Sequence, residues 1–213
     1  MVTLVYWKDW QKRRMKNNFE VFIVNSDLKQ IALKGNRGLL KSAAVSFGVP
    51  KEALEGDFLS VAPKGKPFFK KINTQFSISH SEGLWACLIG PSCCGIDVQY
   101  IKPCNYNSIA GRFFSEKEAA FVKEKGLDGF YKLWTRREAY GKFTGEGFFG
   151  PIPELIDDEG NLKSILECGT HKIRFEELDC EDDFKMTLCF NADYHGEVTI
   201  RRDWNYEDYI FIR

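Results

Sequence analysis

The sequence predicts an α+β fold. Runs rich in apolar and β-branched residues read as strands near both ends and in the middle of the chain. Helical segments fall between them, and the strands do not alternate one for one with helices as they do in parallel α/β folds. The order is strands and a helix, then strands, helices and strands again. That order suggests two similar α+β halves, 1–94 and 95–213, within a chain of 213 residues that is long for one domain and short for two.

Taken in order, "MVTLVYW" and "FEVFIVN" read as strands. The stretch from Lys34 to about Phe47 has helical character and closes at Gly48 and Pro50. "VAPKGKPFFKK" reads as a lysine-bearing connection punctuated by Pro and Gly. "FSISHSEGLWACLIG" reads as a hairpin: Phe76, Ile78 and His80 alternate with Ser77 and Ser79, the turn falls near Ser81–Gly83, and Trp85, Cys87 and Ile89 alternate on the return. "CCGIDVQYI" is a strand broken by Pro103. In "FFSEKEAAFVKEKG", Ser115 and Glu118 have capping-box spacing and Gly126 is a stop. A second helix follows in "LDGFYKLWTRREAYGKF", with Asp128 as its expected N-cap. "HKIRFEEL", "FKMTLCF" and "EVTIRRDW" complete the strand set.

A 44% hydrophobic, 28% charged composition is that of an ordinary globular protein. Chains of this size bury roughly 70% of their unfolded surface, enough for a core without disulfides or structural metal. Thirty basic and thirty acidic residues cancel, which removes any global electrostatic case for nucleic acid or an anionic membrane. No apolar run approaches the roughly 18 residues of a membrane span. Seven scattered cysteines, without a C-x-x-C pair, do not resemble a disulfide framework or a zinc site. The N-terminus places an apolar run ahead of its basic cluster, the reverse of a secretory signal. The expectation is a reduced, cytoplasmic protein.

Two placements carry potential chemistry. On a strand, Asp97 and Gln99 share one face while Ile96, Val98 and Tyr100 take the other, toward a core. On the second helix Phe130, Trp134, Glu138 and Lys142 fall at successive i+4 positions. The ordinary reading of Glu138 and Lys142 is a solvated surface pair, worth about 0.3–0.5 kcal/mol. A charged pair that prolongs an apolar stripe can instead enter a cleft, and spacing alone leaves both open. Ser79 and His80 are neighbours on a strand and point to opposite faces, which excludes a hydrolase triad between them.

The combination is more specific than its parts. "GKP", "FSISHS", "GIDVQ", "FFSEKE" and "WTRREAYGKFTGEG" follow one another between Gly65 and Gly147. In order and approximate spacing they resemble the 4′-phosphopantetheinyl transferases, specifically the single-chain Sfp-like group. The resemblance implies a pseudo-twofold pair of α+β halves with the active site between them. It implies transfer of 4′-phosphopantetheine from coenzyme A to a serine of an acyl or peptidyl carrier protein, with Mg²⁺ required and adenosine 3′,5′-bisphosphate released. It also implies a monomer, since both halves of the site lie in one chain.

Carried over by position, Asp97 and Glu138 match the family's metal-binding carboxylates, and Lys142 the lysine near the reacting phosphate. His80 and its neighbour Ser79 match coenzyme A contacts, and Lys66 the phosphate-facing lysine of "GKP". In the N-terminal third, Arg37 and Lys34 match the segment that receives the 3′-phosphate and adenine. Where many relatives have Asp-x-Glu this chain has Asp97-x-Gln99, so a third metal ligand would be an uncharged amide, bound weakly or through water. Glu138 is then the expected general base. Arg137 stands where the family usually has lysine, and the two are not interchangeable in a tight contact.

Overall fold

Two four-stranded sheets lie face to face, with helices against the outer face of each. The computed structural model describes residues 18–25, 28–169 and 171–204, with the side chains of 28–34 and 171 outside the description. The strand expected over "MVTLVYW" lies outside the described residues.

The first sheet has the order β10-β1-β5-β4, from Val198–Arg201, Phe19–Asn25, Leu84–Gly90 and Gln75–Ser81. The second has the order β6-β9-β8-β7, from Cys94–Tyr100, Phe184–Asn191, His171–Leu178 and Ile165–Cys168. Alternation sorts each strand between two cores. Phe22 and Val24 of β1, with Cys87 and Ile89 of β5, face helix α1 (Leu28–Phe47) through Leu39, Leu40 and Ala43. Phe19, Val21 and Ile23 face the other way and meet Ile96, Val98, Leu188 and Phe190 of the second sheet. Helix α3 (Glu116–Thr144) packs on the far face of that sheet, against Ile173, Phe175 and Cys189. Burying each such aliphatic or aromatic side chain contributes about 1.5–3 kcal/mol.

The expected boundary between 94 and 95 falls at the start of β6. However, β10, from the C-terminal segment, pairs parallel with β1, Phe19 opposite Val198. The C-terminal stretch of chain therefore completes the N-terminal sheet. Three short strands and one α-helix were not legible in the sequence, β7 among them. A short hairpin, β2 (Leu59–Val61) and β3 (Pro67–Phe69), runs into the "VAPKGKPFFKK" connection. Helix α2 (Tyr106–Phe113) begins at Asn105, whose Oδ1 accepts the Ser108 N–H.

The β4–β5 hairpin turns at Glu82 and Gly83, both at positive φ, as a two-residue loop between twisted strands requires. Helix α1 starts earlier than expected, at Leu28, but its regular part begins after Gly35, which is non-helical.

The two expected helices at 115–143 form a single assigned helix, α3, broken at Gly126 (φ 65, ψ −146). That conformation is open only to glycine at low cost. The break turns the chain back on itself. A straight helix would hold Glu118 and Arg137 about 28 Å apart, yet their side chains pair at 2.8 Å. The capping box forms as the spacing predicts: Ser115 Oγ accepts the Glu118 N–H, and Glu118 Oε2 accepts the Ser115 N–H. Asp128, expected as an N-cap, instead pairs with Lys132 and with Lys185 of β9.

Two close approaches set the relation of the layers. A Cβ on Gly95 would sit 1.9 Å from the Ala139 carbonyl oxygen and 2.7 Å from the Phe143 nitrogen, so α3 rests backbone to backbone on β6. The sheet edges meet through side chains. Ser77, Ser79 and Ser81 of β4 accept the N–H groups of Ile96, Val98 and Tyr100 of β6 at 3.1, 3.2 and 3.0 Å. Alternate N–H groups of β6 point away from β9 and need acceptors when buried. The hydroxyls of "FSISHS" supply them.

The Arg137–Glu118 pair is 12% and 1% exposed at its side chains, and the guanidinium lies 5.2 and 5.7 Å from the Phe114 and Phe148 rings. Burial outweighs the Ser115 N–H and Arg137 and raises the Glu118 carboxyl above its ordinary value. Arg137→Met should cost about 3–5 kcal/mol at pH 8, where it strands a buried carboxylate. The deficit should shrink toward pH 5, where Glu118 can take up a proton. Urea unfolding at the two pH values measures both effects.

Candidate functional site

Where β4, β6 and α3 converge, a cleft of about 530 Å³ opens on the helix-bearing side of the seam between the sheets. It is lined by Asn36 and Arg37 of α1, Ser79 and His80 of β4, Asp97 and Gln99 of β6, and Glu138 and Lys142 of α3. The local pattern explains each position. Asp97 and Gln99 leave β6 on the face toward α3, opposite Ile96 and Val98, which are buried between the sheets. Glu138 and Lys142 are one turn apart on the helix that Gly95 admits. The i+4 stripe thus enters a cleft: Phe130 and Trp134 pack in the core, and the charged pair continues the line to Asp97.

Asp97 is 1% exposed and heavily bonded. Its Oδ1 accepts from the Ser79 hydroxyl at 2.7 Å and from Lys142 Nζ at 2.6 Å. Its Oδ2 accepts from the Gln99 amide at 3.1 Å. Arg37 of α1 also lines the cleft. Arg37 donates to Gly56 O and Asp57 Oδ1 at 3.0 and 3.2 Å, and its guanidinium sits 4.6 Å from the Phe58 ring. Lys70 and Arg37 together hold the Asp57 carboxyl below its ordinary value. Asn36 Oδ1 accepts from the Trp85 indole at 3.1 Å. His80 stands exposed on the cleft wall. The backbone of Lys34 lies in α1 and its side chain is outside the described set.

Two expectations meet a different geometry. Lys66 is not a lining residue of this cleft. Its Nζ donates to Cys94 O, Phe143 O and Cys93 Sγ at 2.9, 3.0 and 3.1 Å, placing a cation on the C-terminal carbonyls of α3, where the helix dipole favours it. It borders an adjoining hollow with Lys64, Gly145 and Gly147. Ser79, read as a coenzyme A contact, is 5% exposed and bonded inside the protein. Sequence reasoning also missed Asp57 and Glu118, the partners that orient Arg37 and Arg137. Neither carries a signal in the sequence that points to its arginine. The vicinal cysteines divide: Cys93 is exposed, and burial pushes the Cys94 thiol up to about 12.

Glu138 gives the site its electrostatic character. Burial first, then the Asp97 carboxylate, raise its carboxyl above the ordinary value, with Lys142 pulling the other way. Two carboxylates sharing a half-buried space favour either a proton or a cation between them. Among the described residues no group of three or more His, Cys, Asp or Glu forms a metal cage. Magnesium does not need one, because it takes one or two carboxylates and completes its octahedron with phosphate oxygens and water. The donors at hand, Asp97, Glu138 and the Gln99 amide, fit that requirement.

The raised Glu138 carboxyl has a consequence for stability. The native state holds this proton to higher pH than the unfolded chain does, so its favourable contribution is complete at low pH and is lost as pH rises past the ordinary glutamate value of 4.5. Glu138→Gln should therefore gain stability relative to the native chain as pH goes from 4 to 8 in EDTA, read by denaturant unfolding.

Comparison with known proteins agrees with this geometry. The family model of the 4′-phosphopantetheinyl transferase superfamily matches residues 93–189. A 4′-phosphopantetheinyl transferase of Bacillus subtilis is 28% identical over 166 residues, 74% of this chain and 72% of the relative. The transferase Sfp of Bacillus subtilis (strain 168) is 28% identical over 146 residues, 64% of each chain. The transferase HetI of Nostoc is 33% identical over 122 residues, 52% of this chain and 50% of the relative. The matched stretch thus spans from half to about seven tenths of these relatives. Among the described residues no helix is long and apolar enough to cross a membrane. The motif residues of β4, β6 and α3 line one cleft, and the chain is similar to the 4′-phosphopantetheinyl transferase superfamily over residues 93–189 and to named transferases over as much as 74% of its length.

Proposed function

We propose that this protein transfers 4′-phosphopantetheine from coenzyme A to a serine hydroxyl of an apo acyl or peptidyl carrier protein, with Mg²⁺, releasing adenosine 3′,5′-bisphosphate. The observation that carries the reading is the convergence of Asp97, Glu138 and Lys142 on a cleft that Arg37 and His80 also line. Anionic phosphates fit the Arg37 and Lys142 side chains on the cleft wall, and the paired carboxylates fit a hard cation. When bound there by Asp97 and Glu138, with Gln99 directly or through water, Mg²⁺ would neutralise charge on the phosphates.

The chain's own groups divide the remaining work. The segment 1–94 supplies Arg37, Lys34 and His80 to hold the nucleotide end of coenzyme A. The segment 95–213 supplies Asp97, Glu138 and Lys142 at the reacting phosphate. The carrier serine oxygen forms a bond to the phosphorus next to pantetheine, and the bond from that phosphorus to the bridging oxygen breaks. The serine proton passes to Glu138, directly or through water. The electron pair leaves with adenosine 3′,5′-bisphosphate, and Lys142 offers a positive charge to the anion that develops. Lys66 and Ser79, committed within the protein, support the site. A single chain supplies every group, which fits a monomer acting in the cytoplasm.

Intact-mass measurement of an apo carrier protein incubated with coenzyme A tests the reading. The expected result is a gain of one phosphopantetheine with Mg²⁺, none with EDTA, and a loss of about 10²–10⁴ in rate for Glu138→Ala, the usual range for a general base. No gain across a broad panel of carriers, by folded protein, would remove the transferase reading. Gln99→Glu, which restores a third carboxylate, should lower the Mg²⁺ concentration for half-maximal rate, and an unchanged Mg²⁺ dependence would show that the amide has no bearing on the metal.

A further inference from the structure

A single oxygen joins the three elements that build the charged end of the cleft. The Ser79 hydroxyl on β4 contacts the Val98 N–H of β6 at 3.2 Å, the Lys142 ammonium of α3 at 2.9 Å and Asp97 Oδ1 at 2.7 Å. A hydroxyl has one hydrogen and two lone pairs. The backbone N–H and the ammonium have only hydrogens to offer, so they occupy the lone pairs. The remaining hydrogen points at Asp97 Oδ1. This direction follows from the chemistry of the partners, and it leaves Ser79 no hydrogen for a phosphate.

We infer that Ser79 is the positioning residue of Asp97. It holds Oδ1 within the protein, so that Oδ2, met among the described residues by the Gln99 amide, is the oxygen left for a cation. Ser79 also keeps the Lys142 ammonium on the Oδ1 side, where it neutralises Asp97 without occupying the other oxygen. The inference rests on the proposed reading insofar as Asp97 serves a metal, and it deepens that reading by assigning the residue that aims the ligand.

The neighbouring serines provide internal controls. Ser77 and Ser81 accept N–H groups from β6 just as Ser79 does, at 3.1 and 3.0 Å, but neither bonds to Asp97 or Lys142. Loss of any one of the three orphans a backbone N–H at the seam, with a comparable effect on stability. Only the loss of Ser79 frees the carboxylate. Outer partners of metal ligands typically contribute 10–100-fold to metal affinity.

The test is Mn²⁺ titration of the full chain, with and without coenzyme A, followed by the electron paramagnetic resonance signal of free Mn²⁺. Ser79→Ala should weaken Mn²⁺ binding about tenfold or more. Ser77→Ala and Ser81→Ala should bind as the native chain does, although all three melt earlier. Ser79→Thr, which keeps the hydroxyl, should restore affinity. Native affinity in Ser79→Ala overturns the inference, as does equal weakening in the two control variants. Should Ser79→Ala fail to fold, Ser79→Cys, whose thiol is a weak donor, is read by the same criterion. Native Mn²⁺ binding that is unaffected by Asp97→Asn also overturns it. The transferase reading fails separately: a protein that shows the predicted Mn²⁺ pattern yet modifies no carrier keeps Ser79 in its role and loses the proposed reaction.

Discussion

The site depends on the absence of a side chain at Gly95. With any Cβ there, the 139–143 stretch of α3 would have to lift off β6, because the obstructing atoms are a backbone carbonyl and a backbone nitrogen with no rotamer to change. Contact at that point places Glu138 and Lys142 over Asp97. Lys66 reinforces it from the side, bonding Cys94 O at the start of β6 and Phe143 O at the end of α3. The lysine of "GKP" therefore has a structural task at the same junction.

A second constraint is the seam between the sheets. A continuous backbone ladder would place β4 and β6 one strand spacing apart within a single sheet. Serine side chains lengthen each link while still satisfying the N–H groups of β6, so the two sheets can diverge and open a cleft. The alternation that turns these hydroxyls toward β6 turns Phe76 and Ile78 into the first core. The exposed His80 stands at the cleft on that same alternate register. One six-residue stretch thus serves the core, the seam and the cleft at once.

Electrostatics then distinguish this cleft from an ordinary ion-pair network. Asp97 is balanced by Lys142, while Glu138, buried beside the same charge, prefers a proton or a cation. Arg137, the adjacent residue on the helix, pairs instead with the buried Glu118, its guanidinium between the Phe114 and Phe148 rings. Neighbouring positions on α3 thus serve opposite ends: Arg137 pairs with Glu118 and ties the folded-back helix together, and Glu138 faces the cleft.

Much of this was legible in the residues themselves. Period-2 alternation determined the faces of Asp97, Gln99, Ser77 and Ser79, though it left Ser81 in the turn; capping-box spacing determined the start of α3, and Gly126 determined where its helical course breaks. These are local properties, settled by neighbours a few positions away. The short strands β2, β3 and β7 were beyond such reasoning, since three or four residues carry too little periodicity. Position in the sequence also could not tell that Lys66 bonds the carbonyls of Cys94 and Phe143, that Ser79 turns inward to Asp97, or that β10 crosses back to β1. Each of those outcomes depends on partners 18 to 181 residues distant. Only packing brings such partners together, and the alternative conformations differ by contacts that no local stretch of sequence contains.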